Sequence, residues 1–262
     1  MNIKVKRIIL TILITIAIIL IWEFLIDYFN IPKRVIPKPS DLFYFFQKEF
    51  LTTHSDRYQT VLIKTLFSLR DAFVGFVLAF IVSLGLGILL AHSKGVYAIL
   101  FPLIFLTQLV PVPALAPVIA TMLGYGYTTK IFIITLFLIF PISISVRNCI
   151  LNIPISYLDL FKTYTRNRIY KYRYLIFPSL VPTLLSQMKV VSTASIVATI
   201  ITELPLSVRG GIGKDIYNSF NNQMIPRVWV SVMLISFLSF IIFRIFSILE
   251  IYINKKYKYG EY

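Results

Sequence analysis

Six long apolar runs, at about 8–26, 62–91, 97–123, 130–147, 175–203 and 228–252, dominate the chain. About 20 apolar residues cross the hydrocarbon core of a bilayer as a helix, and each run is long enough to do so. Helix is the only structure open to them, because lipid offers backbone N–H and C=O groups no other partner. Of 262 residues 58% are apolar and 14% charged, with a mean hydropathy of +0.82. Soluble domains run at roughly 45–50% and about 25%. A soluble enzyme, a disordered tail and a secreted disulfide scaffold are excluded. The expected architecture is all-α, six transmembrane helices forming one membrane domain over residues 1–262.

Lys and Arg number 26 against 11 Asp and Glu, a formal charge of +15. In a soluble chain that excess points to nucleic acid. Here it flanks apolar runs, where basic residues hold loops in the cytoplasm and meet anionic headgroups, so no nucleic-acid partner is expected. A single Cys149 and two His allow no intramolecular disulfide and no Cys/His zinc or haem set, and no cofactor is expected. Lys4, Lys6 and Arg7 precede the first run, which holds Glu23 near its end and lacks a small-residue cleavage pattern. It reads as an uncleaved span starting in the cytoplasm. Alternation then puts loops 28–61, 124–129 and 204–227 outside, and 92–96, 148–174 and the tail from Asn254 inside. Thirteen Lys and Arg fall inside, Arg147 included, and ten outside, Lys64 and Lys130 included. The expectation is a multi-pass protein of the cell membrane with both termini cytoplasmic.

The third run carries Pro102, Pro111, Pro113 and Pro117. Proline lacks an amide donor and clashes with the preceding turn, so the run is expected to break between 108 and 117. Irregular backbone at membrane depth belongs against protein or a water-filled cavity, which places this run beside any pathway. Between Ile31 and Thr60, Ser40 or Asp41 can cap a short helix bearing Leu42, Phe43, Phe45, Phe46 and Phe50, an interfacial amphipathic helix. In loop 148–174, Pro154 opens a helix with Asp159 in its first turns. Lys162, Arg166, Arg168, Lys171 and Arg173 follow, interleaved with Phe161, Tyr164, Tyr170, Tyr172 and Tyr174. Such a cluster is either a topology anchor or a docking helix for a cytoplasmic partner.

The spacing of that loop resembles the EAA motif of permease subunits in bacterial and archaeal ABC importers: Asp159-Leu160-Phe161, then Thr165, then Leu175-Ile176-Phe177-Pro178. Asp stands for the family's Glu, Leu and Phe for its two alanines, and Thr165 for its glycine. Further positions are similar to the nitrate/sulfonate/taurine-type branch, over roughly residues 35 to 215. They are Ile36 to Ser40, Thr65 to Gly87, Gln108 to Pro117, Leu123-Gly124, Lys130-Ile131, Phe140-Pro141-Ile142, and Glu203 with Gly210 to Gly213. The resemblance implies a type I importer permease, not itself an enzyme, that pairs with a second permease copy. Its other partners would be two ABC ATPase subunits and an extracytoplasmic substrate-binding protein. The cargo implied is a small solute of the nitrate, sulfonate, taurine or thiamine-precursor class.

No nucleotide site competes with that reading. The run Gly210-Gly211-Ile212-Gly213-Lys214 is not a P-loop, since Val208 stands where the first Gly belongs and Asp215 where magnesium needs Ser or Thr. ATP is then hydrolysed elsewhere and the force enters through a surface contact, the role the resemblance assigns to Asp159–Arg173. Thr165 cannot adopt a positive φ cheaply, and Phe161 in place of an alanine predicts an ATPase with an enlarged cleft.

Ionisable groups within spans tend to face the interior. Arg70 and Asp71 are candidates for a buried pair or a gate. Lys189 and Glu203, fourteen apart on one face of the fifth span, are candidates for attracting an anion and for closing the outer end, or each pairs for packing. Gln108 either lines the broken span or satisfies freed carbonyls. Gly211 and Gly213 belong to an outer hinge that meets the binding protein, or to a turn shaped for packing. A self-contained secondary transporter would show inverted repeats and more acidic or His groups at midplane. A lipid-acting membrane enzyme would show convergent His, Asp or Cys groups at one membrane face. The sequence shows neither set.

Overall fold

The computed structural model describes residues 3–51, 60–164, 167–206 and 210–256. Every regular element among them is helical: α1 (Ile3–Tyr28), α2 (Pro39–Leu51), α3 (Val61–His92), α4 (Lys94–Leu109), a 3₁₀ turn (Val112–Leu115), α5 (Ala116–Leu123), α6 (Tyr127–Leu151), α7 (Ile155–Tyr164), α8 (Arg168–Lys171), a π-turn (Tyr172–Ile176), α9 (Phe177–Glu203), α10 (Ile212–Asn221) and α11 (Ile225–Lys256). Five helices are long and apolar enough to cross a membrane, and a sixth crossing is made if α4 and the 112–123 segment count as one span bent by 78°.

Prolines set the breaks. Pro111 and Pro113 end α4 and force the 3₁₀ turn, and Pro117 sits in the first turn of α5, where its missing N–H costs nothing. Val112, Ala116 and Ala120 of this elbow pack on Ile133 and Leu206. In α6, Pro141 cannot donate to the carbonyl of Phe137, and Gln108 of α4 donates its Nε2–H there instead, at 3.1 Å. Before α9, Phe177 donates five residues back to Tyr172, widening the turn ahead of Pro178.

The centre of the molecule is α3 against α6. A buried stripe of Ala72, Gly75, Ala79, Ser83 and Gly87 lines α3, so the backbones approach closely, as small residues allow between membrane helices. A Cβ on Gly75 would stand 2.5 Å from Ile134 Cγ2. Phe76, Ile134, Leu138, Ile142, Val146, Ile176 and Leu180 complete the core with α9. The outer sides of α1 and α11 stay exposed and apolar, with Leu20, Phe24, Phe237, Phe240 and Ile248 all more than half exposed. Lipid covers such surfaces at no hydrophobic cost.

The bundle has two dissimilar ends. At one, α10 lies across the starts of α3 and α11; at the other, α7 and α8 lie between the ends of α6 and the start of α9. Beside the α10 end, α2 is tied to α1. Glu23 accepts from the Ser40 amide at 3.1 Å and its hydroxyl at 2.6 Å, and Lys38 pairs with Asp27. That carboxylate hydrogen bond holds the Lys38 ammonium above the usual lysine range.

Candidate functional site

At the α10 end, charges are buried where sequence periodicity shows only apolar helix. Lys130, 1% exposed, lies between the carboxylates of Asp71 on α3 (2.5 Å) and Glu203 on α9 (2.8 Å). Arg70 adds Nη2 and Nε contacts to the same Asp71 at 2.8 and 3.0 Å and rests over the rings of Phe67 and Tyr127. Two cations thus meet two carboxylates, so the group is formally neutral. Ser68 donates to Glu203 at 2.8 Å and accepts from the Ile212 amide at 2.9 Å. The Gly213 amide donates to Glu203 at 2.9 Å. Glu203 therefore sits on the first turn of α10, where free N–H groups and the helix dipole favour a carboxylate.

Close approach requires the glycines. A Cβ on Gly211 would stand 2.2 Å from Glu203 Cδ, and one on Gly213 2.5 Å from the Ile200 carbonyl oxygen. Both glycines are buried. A second balanced set holds the other side of α10. Asp215 pairs with Lys64 and with Arg227 (3.0 Å), Arg227 reaches Glu49 at 3.9 Å, and Glu49 accepts from the Val61 amide at 3.0 Å.

Lys189 and Glu203 do not meet. Lys189 pairs with Glu250 of α11 at 2.5 Å, and Ser186 donates to the same carboxylate. Sequence reasoning did not single out Lys130 as a site residue. Its signal was an ammonium at the very start of an apolar run, where a partner on another helix is the cheapest way to keep the charge. Asp215, Arg227 and Glu49 were hidden because their partners lie on other elements.

At the α7 end, the EAA-like residues divide by direction. Phe161 is half-buried and faces the core, lining a cleft of about 290 Å³ with Ile153, Pro154, Tyr157, Leu175 and Pro178. Leu160 is 52% exposed on the other side of α7, beside the exposed Asp159, which pairs with Lys162 at 2.8 Å. Of Leu160 and Phe161, Leu160 is therefore the exposed side chain. Phe177 is half exposed and tilts on Tyr172. Thr165 lies outside the described residues. An unforeseen link ties the end of α3 to the exit of the loop: Tyr172 hydroxyl and His92 Nε2 lie 2.6 Å apart with the rings stacked. His92 Nδ1 is 2.9 Å from the Ile88 carbonyl.

Residues 83–255 match the family described as the binding-protein-dependent transport system inner membrane component. The chain belongs to that family. Among this permease's relatives, the nitrate import permease NrtB of Synechocystis is 25% identical over 70% of this chain and 66% of its own length. The formylaminopyrimidine transport permease ThiX of Halalkalibacterium halodurans is 24% identical over 68% of this chain and 70% of its own. Among solved structures, a chain of the MetNI methionine ABC transporter in an inward-facing conformation superposes with a TM-score of 0.53 at 18% identity, covering 71% of this permease and 95% of that chain. The fold is the type I importer permease fold, and the protein is a multi-pass membrane transport component.

Proposed function

We propose that this permease forms the translocation pathway of an ATP-driven importer as one of two identical permease copies. Two ABC ATPase subunits would dock at the α7 end and an extracytoplasmic substrate-binding protein at the α10 end. Both termini then lie in the cytoplasm. The cargo is a small polar solute of the class carried by the nitrate and thiamine-precursor relatives, with sulfonates and taurine in the same group. Asp159, Leu160 and Thr165 meet the ATPase, while Phe161, Leu175, Phe177 and Pro178 carry its movement into α9. Gln108, Lys189, Glu203, Gly211 and Gly213 belong to the moving pathway and its outer closure. This subunit breaks no bond; ATP is hydrolysed in the ATPase.

The observation that carries this reading is α7 itself. It is a short helix with Leu160 and Tyr164 exposed on one side and Leu158 and Phe161 packed against the core on another. A lever needs both faces, one for the engine and one for the load. A channel needs neither. Solute uptake into proteoliposomes should require the permease, its ATPase and its binding protein together. Asp159→Lys with Leu160→Asp should abolish ATPase co-purification while leaving helicity unchanged. Uptake by the permease alone, or equal ATPase recovery with the double variant, would sink the proposal.

A further inference from the structure

Near the α10 end, α1, α2 and α11 leave an apolar groove of about 440 Å³ between them, walled by Ile19 and Trp22, Leu42 and Phe46, and Met233 and Phe237. None of its lining residues is charged. The groove opens on the exposed apolar sides of α1 and α11, the surface that meets hydrocarbon. Met233 and Phe237 lie 8 and 12 residues into α11, or about 12–18 Å along its axis, a length comparable to one leaflet of about 15 Å in a core of about 30 Å. The lining residue Pro39 opens α2, and the connector from α1 to α2 runs into it. Its lysines are committed: Lys33 pairs with Asp41 and Lys38 with Asp27. Arg34 is exposed and has no ion-pair partner among the described residues. Guanidinium matches phosphate through two parallel hydrogen bonds.

We propose that this groove is a phospholipid site, with one acyl chain lying between α1, α2 and α11 and the lipid phosphate on Arg34. Charge complementarity and continuity with the lipid-facing surface both favour a phospholipid over a second protein chain, which would bring backbone polar groups into an unbroken apolar wall. The site would brace α2, whose own contacts are largely with α1 and α11.

The chain carries its own reporter. Its two tryptophans, Trp22 and Trp229, lie together with ring centroids 5.5 Å apart, so Trp229→Phe leaves Trp22 alone in the groove wall. The full chain would be reconstituted in liposomes containing increasing fractions of phosphatidylcholine brominated along its acyl chains, or of brominated diacylglycerol, which has the chains without the phosphate. Trp22 fluorescence should be half-quenched at a severalfold lower fraction of the phospholipid than of the diacylglycerol. Arg34→Gln should erase that difference. Ile19→Phe, which fills the groove away from Arg34, should leave only quenching proportional to lipid fraction. Far-UV circular dichroism checks that both variants keep their helices. Proportional quenching by both lipids, unchanged in Arg34→Gln, would reduce the groove to ordinary boundary lipid and overturn the proposal. A Trp22 that neither lipid quenches would overturn it in favour of a protein occupant such as a second copy.

Discussion

At Lys130 one ammonium answers two carboxylates, with 1% of its side chain exposed. Truncating one member of a buried charge set leaves the rest uncompensated, at a cost of about 3–5 kcal/mol. Lys130→Met should therefore lower the unfolding midpoint in detergent sharply. Glu203→Gln should cost less, since the amide oxygen still accepts from Gly213 and Asp71 still answers Lys130. An equal loss for both would mean that the charge balance is not what holds this end together. Gly211→Ala is expected to destabilise through sterics, because its Cβ would fall 2.2 Å from the Glu203 carboxyl carbon. Pairing that change with Glu203→Ala removes the clash. If Gly211→Ala is no more costly with Glu203 present than with it removed, the tight fit is not the reason for glycine.

At the level of elements, α4 and α6 show a defect and its repair. Pro141 leaves the Phe137 carbonyl without its helical donor, and Gln108 supplies one from the next helix. The bond lies on the exposed side of α4, where a hydrogen bond contributes about 0.5–1.5 kcal/mol net, so Gln108→Leu should destabilise by that order. In the Pro141→Ala background a backbone amide is restored and the cost of Gln108→Leu should shrink. A double-mutant cycle on unfolding free energies reads the coupling, and zero coupling would separate the two residues. The same logic separates the faces of α7. Leu160→Asp should weaken ATPase recovery with little change in thermal stability, whereas Phe161→Asp should lower both, because Phe161 packs in the cleft under the helix. Of these elements the prolines and the EAA-like spacing were legible in the sequence. The inward turn of Phe161 was not, because facing on a ten-residue helix depends on what lies beneath it.

For the whole molecule the two ends must lie on opposite sides of the membrane, since α3 joins them through 32 residues of continuous helix, about 48 Å at 1.5 Å per residue. In a Cys149→Ser background, Tyr217→Cys on the exposed side of α10 should react with an impermeant thiol reagent from outside the cell. Tyr164→Cys on α7 should react only after permeabilisation. The reverse pattern would invert the proposed orientation. Sequence by itself determined the bundle: runs of apolar residues at bilayer length can only be helices, prolines can only interrupt them, and the motif order points to one family. Tertiary structure alone decided which charges answer each other. Asp71, Lys130 and Glu203 are 59 and 73 residues apart along the chain, and hydrophobic periodicity says that a helix is buried but not which neighbour it faces. A charge in low dielectric takes its meaning from the atom a few ångströms away, and only the packed fold brings that atom there.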